Sequence, residues 1–128
     1  MHLGAPAVFT PSDARPRRIV LVFVDTLRAD HLGFMGYDRP ISPTLDRLAR
    51  GGTAFTEAHT VAPWTLPSAR AALTGQEPEL WSTAETLAER LGAAGWRTDA
   101  IVSNAFLSQP FDVHRGWDTF DFEHLRPG

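Results

Sequence analysis

Two stretches of continuous apolar residues mark the chain, and each ends in polar residues. The first, residues 19–24, reads IVLVFV and stops at Asp25, and the second lies within residues 98–103 and stops at Ser103 and Asn104. Runs of β-branched and aromatic residues are typical of strands that are buried on both faces of a parallel sheet. A shorter alternating stretch, residues 53–58, predicts a third strand whose Phe55 contacts the core.

Two further segments have apolar residues three or four positions apart, which is the spacing of amphipathic helices. Ser42 before Pro43 predicts the start of one helix, and the glycines at positions 51 and 52 predict its end. The other helix is predicted over residues 82–94, where Ser82 and Glu85 match a capping box and Gly95 follows the last apolar position.

The stretch around which the chain is organised is residues 62–75, APWTLPSARAALTG. Pro67 suits the first turn of a helix, because its ring fixes the backbone angle and the N–H it lacks would have no partner there. Thr65 is therefore expected at or just before a helix N-terminus, where an anionic ester group is favoured and a hydroxyl is placed to attack it. The simpler alternative is that Thr65 is an ordinary capping residue.

Strands that alternate with helices predict an α/β fold with a mainly parallel sheet flanked by helices. Residues 1–18 are rich in proline and arginine, without an apolar period, and are expected to form a flexible lead-in to a domain over residues 19–128. From residue 106 onward, aromatic residues lie among Asp and Gly, so this tail is expected to be ordered but irregular.

Composition narrows the classes of function. The 128 residues carry 12 basic and 15 acidic side chains, for a net charge of -3, so neither nucleic acid nor a membrane surface is an expected partner. Lys and Cys are both absent, which excludes lysine-based and cysteine-based chemistry within the chain. The first residues lack the features of a secretory signal, so a cytoplasmic location is the default expectation, with periplasmic or secreted locations left open.

The carboxyl ends of parallel strands meet at one edge of a sheet, where ligand sites collect. Asp25 follows the first strand, Ser103 and Asn104 follow a later one, and Thr65 is expected beside the same edge. Asp25 is either a metal ligand or a residue that caps the following turn, and the residues alone favour neither.

Several spaced motifs, in this order, resemble the N-terminal part of the sulfatase-like hydrolases of the alkaline phosphatase superfamily. The resemblance covers roughly residues 19 to 122. The motifs are VDTLRADHLG at residues 24–33, SPTLD at 42–46, APWTLPS at 62–68, LTG at 73–75, GWRT at 95–98, VSN at 102–104 and RGWD at 115–118.

The resemblance implies an α/β enzyme that hydrolyses sulfate or phosphate esters, with its nucleophile at a helix start beside a divalent cation such as Ca, Zn, Mn or Mg. Asp25 matches a metal ligand of the family, although Thr26 stands where sulfatases usually have a second acid. Thr65 takes the position of the Cys or Ser that sulfatases oxidise to formylglycine. Thr cannot undergo that conversion, and it resembles instead the nucleophile of phosphodiesterase and phosphotransferase branches.

Two more positions are implied as substrate-binding residues. Arg70 lies one place beyond the family's Arg, whose own position is taken by Ala69, and Asn104 lies where many members have Lys. The region of the chain that holds Asp112, His114 and Asp118 matches a part of the family without metal ligands, so these three are not expected to bind the cation.

The resulting hypothesis is a sulfatase-like, metal-dependent hydrolase with Thr in the nucleophile position, expected to be inactive as an isolated N-terminal portion. The alternative is a non-catalytic module of the same fold that binds an anion or a partner chain. In both cases an incomplete sheet predicts association, either with a missing C-terminal half or with a second copy. A receiver-like domain phosphorylated on Asp25 is disfavoured, because it would need a Lys at a later strand end.

Overall fold

A computed structural model describes residues 18–123, and these divide between two compact units, Met1–Ala58 and His59–Gly128. The lead-in expected over residues 1–18 lies almost entirely outside the described residues. Among residues 18–123, no helix has both the length and the apolar character needed to cross a membrane.

The unit Met1–Ala58 contains two 3-10 turns, Ala29–His31 and Gly33–Met35, followed by helix α1, Pro43–Gly51. Pro43 occupies the first turn of α1, where a missing N–H costs nothing. The N–H of Asp46 donates to the carbonyl of Ser42 at 2.9 Å and closes that turn. The helix predicted from Ser42 and Pro43 is thus confirmed.

The two strands predicted in this unit do not form. Residues 19–24 belong to no sheet among the described residues, and their side chains are 46% to 78% exposed instead of buried. Residues 53–58 also lack strand structure, and Phe55 is 61% exposed. Both predictions were wrong because an apolar run defines a side-chain preference only, whereas a strand also needs a neighbour that accepts and donates its backbone hydrogen bonds.

The unit His59–Gly128 contains helix α2, Thr65–Thr74, helix α3, Leu87–Ala93, and two strands, β1 at Asp99–Val102 and β2 at Thr119–Phe122. The strands pair in parallel, with Asp99 opposite Thr119 and Val102 opposite Phe122. Helices with a small parallel sheet confirm the predicted α/β class, with a sheet that is incomplete in the described residues.

The start of the sheet is fixed by Thr98 and Asp118. The N–H of Thr98 donates to Asp118 Oδ2 at 2.8 Å, and the N–H of Asp118 donates to the carbonyl of Thr98 at 2.9 Å. This reciprocal pair sets the register of β1 against β2. The strand predicted over residues 98–103 is therefore confirmed in place, but Ile101 is 74% exposed, so it is not buried on both faces.

Helix α3 begins later than its sequence pattern predicted. The capping box uses Thr86 and Glu89: Thr86 Oγ1 accepts from the Glu89 N–H at 3.1 Å, and Glu89 Oε2 accepts from the Thr86 N–H at 2.7 Å. The Ser82 and Glu85 pair lies in the preceding turn instead. Thr86 is favoured because it also donates to the carbonyl of Arg115 at 3.2 Å, a contact from outside the helix.

The core of this unit is organised around Trp81, which is 5% exposed. The guanidinium carbons of Arg70 and Arg115 lie 5.3 Å and 4.7 Å from the centre of its ring. Cations over an indole face are attracted by its electron density. The ring therefore connects α2, which carries Arg70, to the tail, which carries Arg115.

Candidate functional site around the start of helix α2

Thr65 is the first residue of α2, as its sequence context predicted. Trp64 precedes it in an extended conformation, with φ -149° and ψ 165°, and no side chain caps the helix. Pro67 brings no N–H to this turn. The helix start therefore presents the Thr65 hydroxyl at the positive end of the helix dipole, which is where an anionic group is stabilised.

The loop before Thr65 is tied to the helix by the hydroxyl of Ser68. Ser68 Oγ lies 2.9 Å from the carbonyl oxygens of both Ala62 and Trp64, and 2.8 Å from Thr60 Oγ1. Thr60 Oγ1 also donates to the Ala62 carbonyl at 3.0 Å. These contacts hold residues 60–64 against the first turn, so the backbone that carries Thr65 is fixed from both sides.

Arg70 lies on the same helix, five positions beyond Thr65. Its Nη2 donates to the carbonyl of Phe111 at 3.1 Å, while its guanidinium lies over the Trp81 ring. The Nε atom of Arg70 and the Nε1 atom of Trp81 are buried without a hydrogen-bond partner. Arg70 thus joins α2 to the tail, and its predicted contact with a substrate stays a prediction.

A partly exposed pair of aromatic rings includes that of Trp64, the residue before Thr65 in the chain. The rings of Trp64 and Phe106 meet edge to face, with their centres 5.6 Å apart, and Phe106 also contacts Phe111 at 5.7 Å. Asn104 Oδ1 accepts a hydrogen bond from the Phe106 N–H at 2.8 Å, which fixes the turn Ala105–Leu107. Sequence reasoning singled out Asn104 but missed this ring pair, since only Trp64, next to Thr65 in sequence, gave a signal.

Asp25 lies in the other unit, where it is half-buried and forms a turn with the exposed Thr26. Thr26 has φ 57°, in the left-handed region that a β-branched residue rarely adopts. Strained backbone of this kind is maintained only where the surrounding structure imposes it. The residue after Asp25 is therefore held in an unusual backbone conformation.

An exposed charge cluster follows that turn. Arg28 donates from Nε and Nη2 to the two carboxylate oxygens of Asp30, at 2.9 Å and 2.6 Å, and His31 Nδ1 lies 3.0 Å from Asp30 Oδ1. The hydrogen bonds from Arg28 and then from His31 hold the pKa of Asp30 well below its ordinary value. His31 stacks on Tyr37 with ring centres 4.7 Å apart. His31 is therefore a hydrogen-bonded and stacked partner in this turn.

The far end of this connection is anchored to α1 by Asp46. Its Oδ1 accepts from the Phe34 N–H at 2.9 Å and from Ser42 Oγ at 3.0 Å, while Ser42 Oγ accepts from the Gly33 N–H at 2.9 Å. A methyl group at Gly33 would lie 2.5 Å from Asp46 Oδ2. Only glycine allows this close approach, so the connection from Asp25 to Gly33 is held at both ends.

Within residues 18–123, no three Asp, Glu or His side chains are grouped closely enough to hold a metal ion. A divalent cation such as Ca takes six to eight oxygen ligands, so Asp25 alone does not make a site for it. Asp118 and Asp112 are engaged elsewhere, the first with Thr98 and the second with Arg115 at 3.7 Å. The described residues do not fit a divalent cation as a complete set of donors.

The predicted site residues divide between the two units. Thr65, Arg70 and Asn104 belong to His59–Gly128, and Asp25 belongs to Met1–Ala58. Their joint action on an ester stays a prediction from the sequence. What the structure adds is local: a helix start fixed by Ser68, an aromatic pair that includes Trp64, and a constrained turn that carries Asp25.

Comparisons with known proteins point to one family. A family model described as Sulfatase matches residues 17–123. The chain is 43% identical to human arylsulfatase A over 65 residues, which is 51% of this chain and 13% of that protein. It is 32% identical to an arylsulfatase of Clostridium perfringens over 94 residues, which is 65% of this chain and 20% of that protein.

A third relative is mouse steryl-sulfatase, 40% identical over 74 residues, which is 58% of this chain and 11% of that protein. The chain therefore spans a fifth or less of the length of these relatives. No solved structure matches it significantly.

Proposed function

This chain belongs to the sulfatase family, and on that premise we propose that it supplies the nucleophile of a hydrolase that acts on sulfate or phosphate esters. The observation that carries the proposal is the position of Thr65 at the first residue of α2, with Pro67 in the first turn and no side-chain cap. An ester anion at this point is stabilised by the positive end of the helix, and the hydroxyl lies within the same turn.

In the proposed reaction, Thr65 Oγ attacks the sulfur or phosphorus atom and loses its proton to solvent. The bond from that atom to the ester oxygen breaks, and the alcohol leaves with the electron pair and takes up a proton. Water then cleaves the sulfuryl or phosphoryl group from Thr65 and restores the hydroxyl. Arg70 and Asn104 are proposed to contact the anionic oxygens of the ester.

Asp25 is proposed as one ligand of a divalent cation, Ca or one of Zn, Mn and Mg, whose other ligands lie outside the described residues. Because residues 18–123 do not hold a complete set of donors, no step of the reaction is assigned to the cation. We expect weak Ca²⁺ binding that is lost in Asp25→Asn, measured by calorimetry. Asp38→Asn is the matched control, since Asp38 is an exposed carboxylate in the same unit.

The nucleophile is tested by trapping the covalent ester. The chain is incubated with 4-nitrophenyl phosphate or 4-nitrophenyl sulfate, quenched in acid, and mapped by mass spectrometry. Because the isolated chain is expected to be inactive in turnover, we expect at most one added phosphoryl or sulfuryl group, on Thr65, without release of that group. The label is expected to be absent in Thr65→Ala and retained in Thr53→Ala, which changes an exposed threonine in the other unit. Labelling at another residue would refute the proposal.

A second candidate is a non-catalytic module that binds an anion or a partner chain, which the exposed apolar residues 19–24 favour. It predicts binding of inorganic phosphate without any covalent label on Thr65. The exposed apolar residues 19–24 support association with a further polypeptide segment or with a second copy. Sedimentation velocity over a range of concentrations measures this directly, and a constant monomer would contradict self-association.

A further inference from the structure

Strand β1 pairs with a neighbouring strand along one edge only. Within residues 18–123, the sheet consists of β1 and β2. The carbonyls of Thr98 and Val102 accept from backbone N–H groups at the two ends of β2, at 3.2 Å and 2.8 Å. Because successive residues of a strand direct their backbone groups to opposite edges, the N–H and C=O groups of Asp99 and Ile101 point away from β2. They form a free edge, to which a further strand can bond.

The sequence of β1 does not protect this free edge. The side chain of Asp99 is 51% exposed, and Ile101 is 74% exposed. Natural proteins commonly prevent another strand from adding by placing Lys or Pro on an edge strand. Residues 99–102, DAIV, contain neither.

The same chain carries a segment that suits such an edge. Residues 19–24, IVLVFV, are of the β-branched, aliphatic and aromatic types that fit a strand, and none of them is charged. They are 46% to 78% exposed and belong to no sheet in the part of the chain that the structure describes. A chain that offers both an unpaired edge and an unpaired strand-forming segment is complementary to a second copy of itself.

We propose that residues 19–24 of one copy add to the free edge of β1 in a second copy as a third strand, and that the second copy returns the same contact. This inference goes beyond the reaction proposed at Thr65 and gives the self-association considered above a definite contact. A twofold pair of copies uses both segments and both free edges, so the assembly closes as a dimer.

The charges that flank the segment favour a parallel third strand. Arg18 precedes the run, and Asp25 follows it. Parallel pairing brings Arg18 near Asp99 at the start of β1, where the opposite charges attract. Antiparallel pairing would bring the Asp25 carboxylate to the same place, and like charges opposite each other destabilise a pair of strands.

The size of the interface fits a weak dimer. A strand of four to six residues is about 15–20 Å long and a layer of sheet about 10 Å thick, so two exchanged strands bury roughly 600–800 Å² along their edges. The exposed apolar side chains of residues 19–24 add to this, and a total on the order of 1,000 Å² is near the lower limit for a specific interface. We therefore expect a dimer that dissociates on dilution.

The edge is tested by Ile101→Pro. Proline lacks the outward N–H that an added strand needs, and it is tolerated on a strand where that N–H points away from the existing neighbour. Sedimentation velocity over a range of concentrations is expected to show a dimer of the unmodified chain. The dissociation constant is expected to rise about tenfold or more in the variant, because both contacts lose a donor. Ile101→Lys, which places a charge on the edge, serves if Ile101→Pro disturbs the fold.

The segment is tested by Val22→Lys, which places a charge within the run at a residue that is 72% exposed. A similar rise in the dissociation constant is expected. The matched control is Leu48→Lys, which places the same charge on α1 at a residue that is 63% exposed and is expected to leave association unchanged. Urea denaturation of the diluted variants checks that each one folds.

An equimolar mixture of Ile101→Pro and Val22→Lys tests the exchange itself. The first variant keeps the segment and the second keeps the edge, so an intact contact forms only between the two different copies. The mixture is therefore expected to associate more strongly than either variant alone. Two runs of residues 19–24 that packed on each other would give no such gain.

A monomer at every concentration, a dimer that survives either substitution, a loss as large in Leu48→Lys, or a mixture no stronger than its components would each overturn the exchange. None of these variants changes Thr65, so the covalent label decides the proposed reaction separately. A label without a dimer supports the reaction and refutes the exchange, and a dimer with the expected pattern but without a label does the reverse.

Discussion

Arg115 and Glu89 form an ion pair in which Nε and Oε1 lie 3.2 Å apart and the two side chains are only 23% and 30% exposed. The same guanidinium donates from Nη2 to the carbonyl oxygens of Trp81 and Ala84, at 3.0 Å and 2.6 Å. Glu89 belongs to the capping box of α3. One arginine in the tail therefore stabilises the start of α3, the turn before it and the position of the Trp81 ring.

We expect Arg115→Lys to lower the free energy of unfolding by about 2–3 kcal/mol, because a lysine cannot reach the carboxylate and both carbonyls together and leaves acceptors unsatisfied. Urea denaturation measures the change. Arg97→Lys is the matched control: its pair with Asp99 is exposed, at 76% and 51%, so the change there is expected to stay below about 1 kcal/mol. Equal losses of stability in the two variants would show that burial of the Arg115 ion pair does not contribute to the stability of the fold.

Gly116 packs directly against Glu89. It has φ 84°, and a methyl group there would lie 2.7 Å from the Glu89 backbone nitrogen and 2.5 Å from its Cγ. Gly116→Ala is expected to cost about 3 kcal/mol, partly from the left-handed backbone and partly from the displacement of α3.

Gly95→Ala separates those two contributions, since Gly95 has nearly the same φ, 83°, and nothing within 4 Å of the added methyl. We expect that variant to lose only about 1–2 kcal/mol. Urea denaturation of both variants side by side is the measurement. A loss for Gly116→Ala no larger than that for Gly95→Ala would contradict the contact with Glu89.

Gly33→Ala tests the anchor between the Asp25 connection and α1. The added methyl would displace the Asp46 carboxylate from Ser42 and from the Phe34 N–H, so a loss of about 1–2 kcal/mol is expected. Gly51→Ala, with open space around the methyl, is expected to change stability by less than about 0.5 kcal/mol. Thermal denaturation compares the stability of the two variants. Calorimetry with Ca²⁺ on the same samples reports whether the Ca²⁺ binding proposed for Asp25 is lost.

The pair of Asp99 and Thr119 predicts a pH dependence. A hydrogen bond from the Thr119 side chain, and then one from Arg97, lower the pKa of Asp99 from its ordinary value of 3.8. A lowered pKa in the folded state gives stability that is present above pH 3.8 and is lost as the pH falls through the folded value. The stability difference between the unmodified chain and Asp99→Asn is thus expected to be constant near neutral pH and to shrink in acid.

Urea midpoints at several values of pH measure this difference. Thr119→Val removes the main donor and is expected to flatten the acid dependence, since the pKa of Asp99 then returns toward its ordinary value. A difference that grows as the pH falls would have the wrong sign and would contradict the assignment.

Local signals predicted helices well in this chain. Pro43 and Pro67 each fix the backbone of a first turn, and they do so without help from distant residues, so α1 and α2 begin where the sequence predicts. Strand predictions were less successful, because a strand also needs a neighbouring strand to bond with. Residues 19–24 have the right composition but no neighbour in the described residues, whereas β2 at Thr119–Phe122 looked irregular and forms because β1 lies beside it.

In the candidate site, too, the local features were predicted from the sequence and the long-range contacts were not. The place of Thr65 on its helix was predicted from Pro67, because the conformation of the first turn is local. The ring pair of Trp64 and Phe106 was missed, because it joins residues 42 positions apart in sequence, 64 and 106, through a fold that one sequence does not specify. The capping box was predicted at Ser82 but lies at Thr86 for the same reason, since the contact of Thr86 with Arg115 comes from the tail.

Thr26 has a consequence for anyone who engineers this chain. Its left-handed backbone, at φ 57°, costs a β-branched residue about 1–2 kcal/mol that glycine would recover. Thr26→Gly would therefore raise the free energy of unfolding, and it would also give the backbone next to Asp25 more conformational freedom. Resistance to heat and a constrained backbone beside Asp25, the proposed ligand, therefore oppose each other at this position.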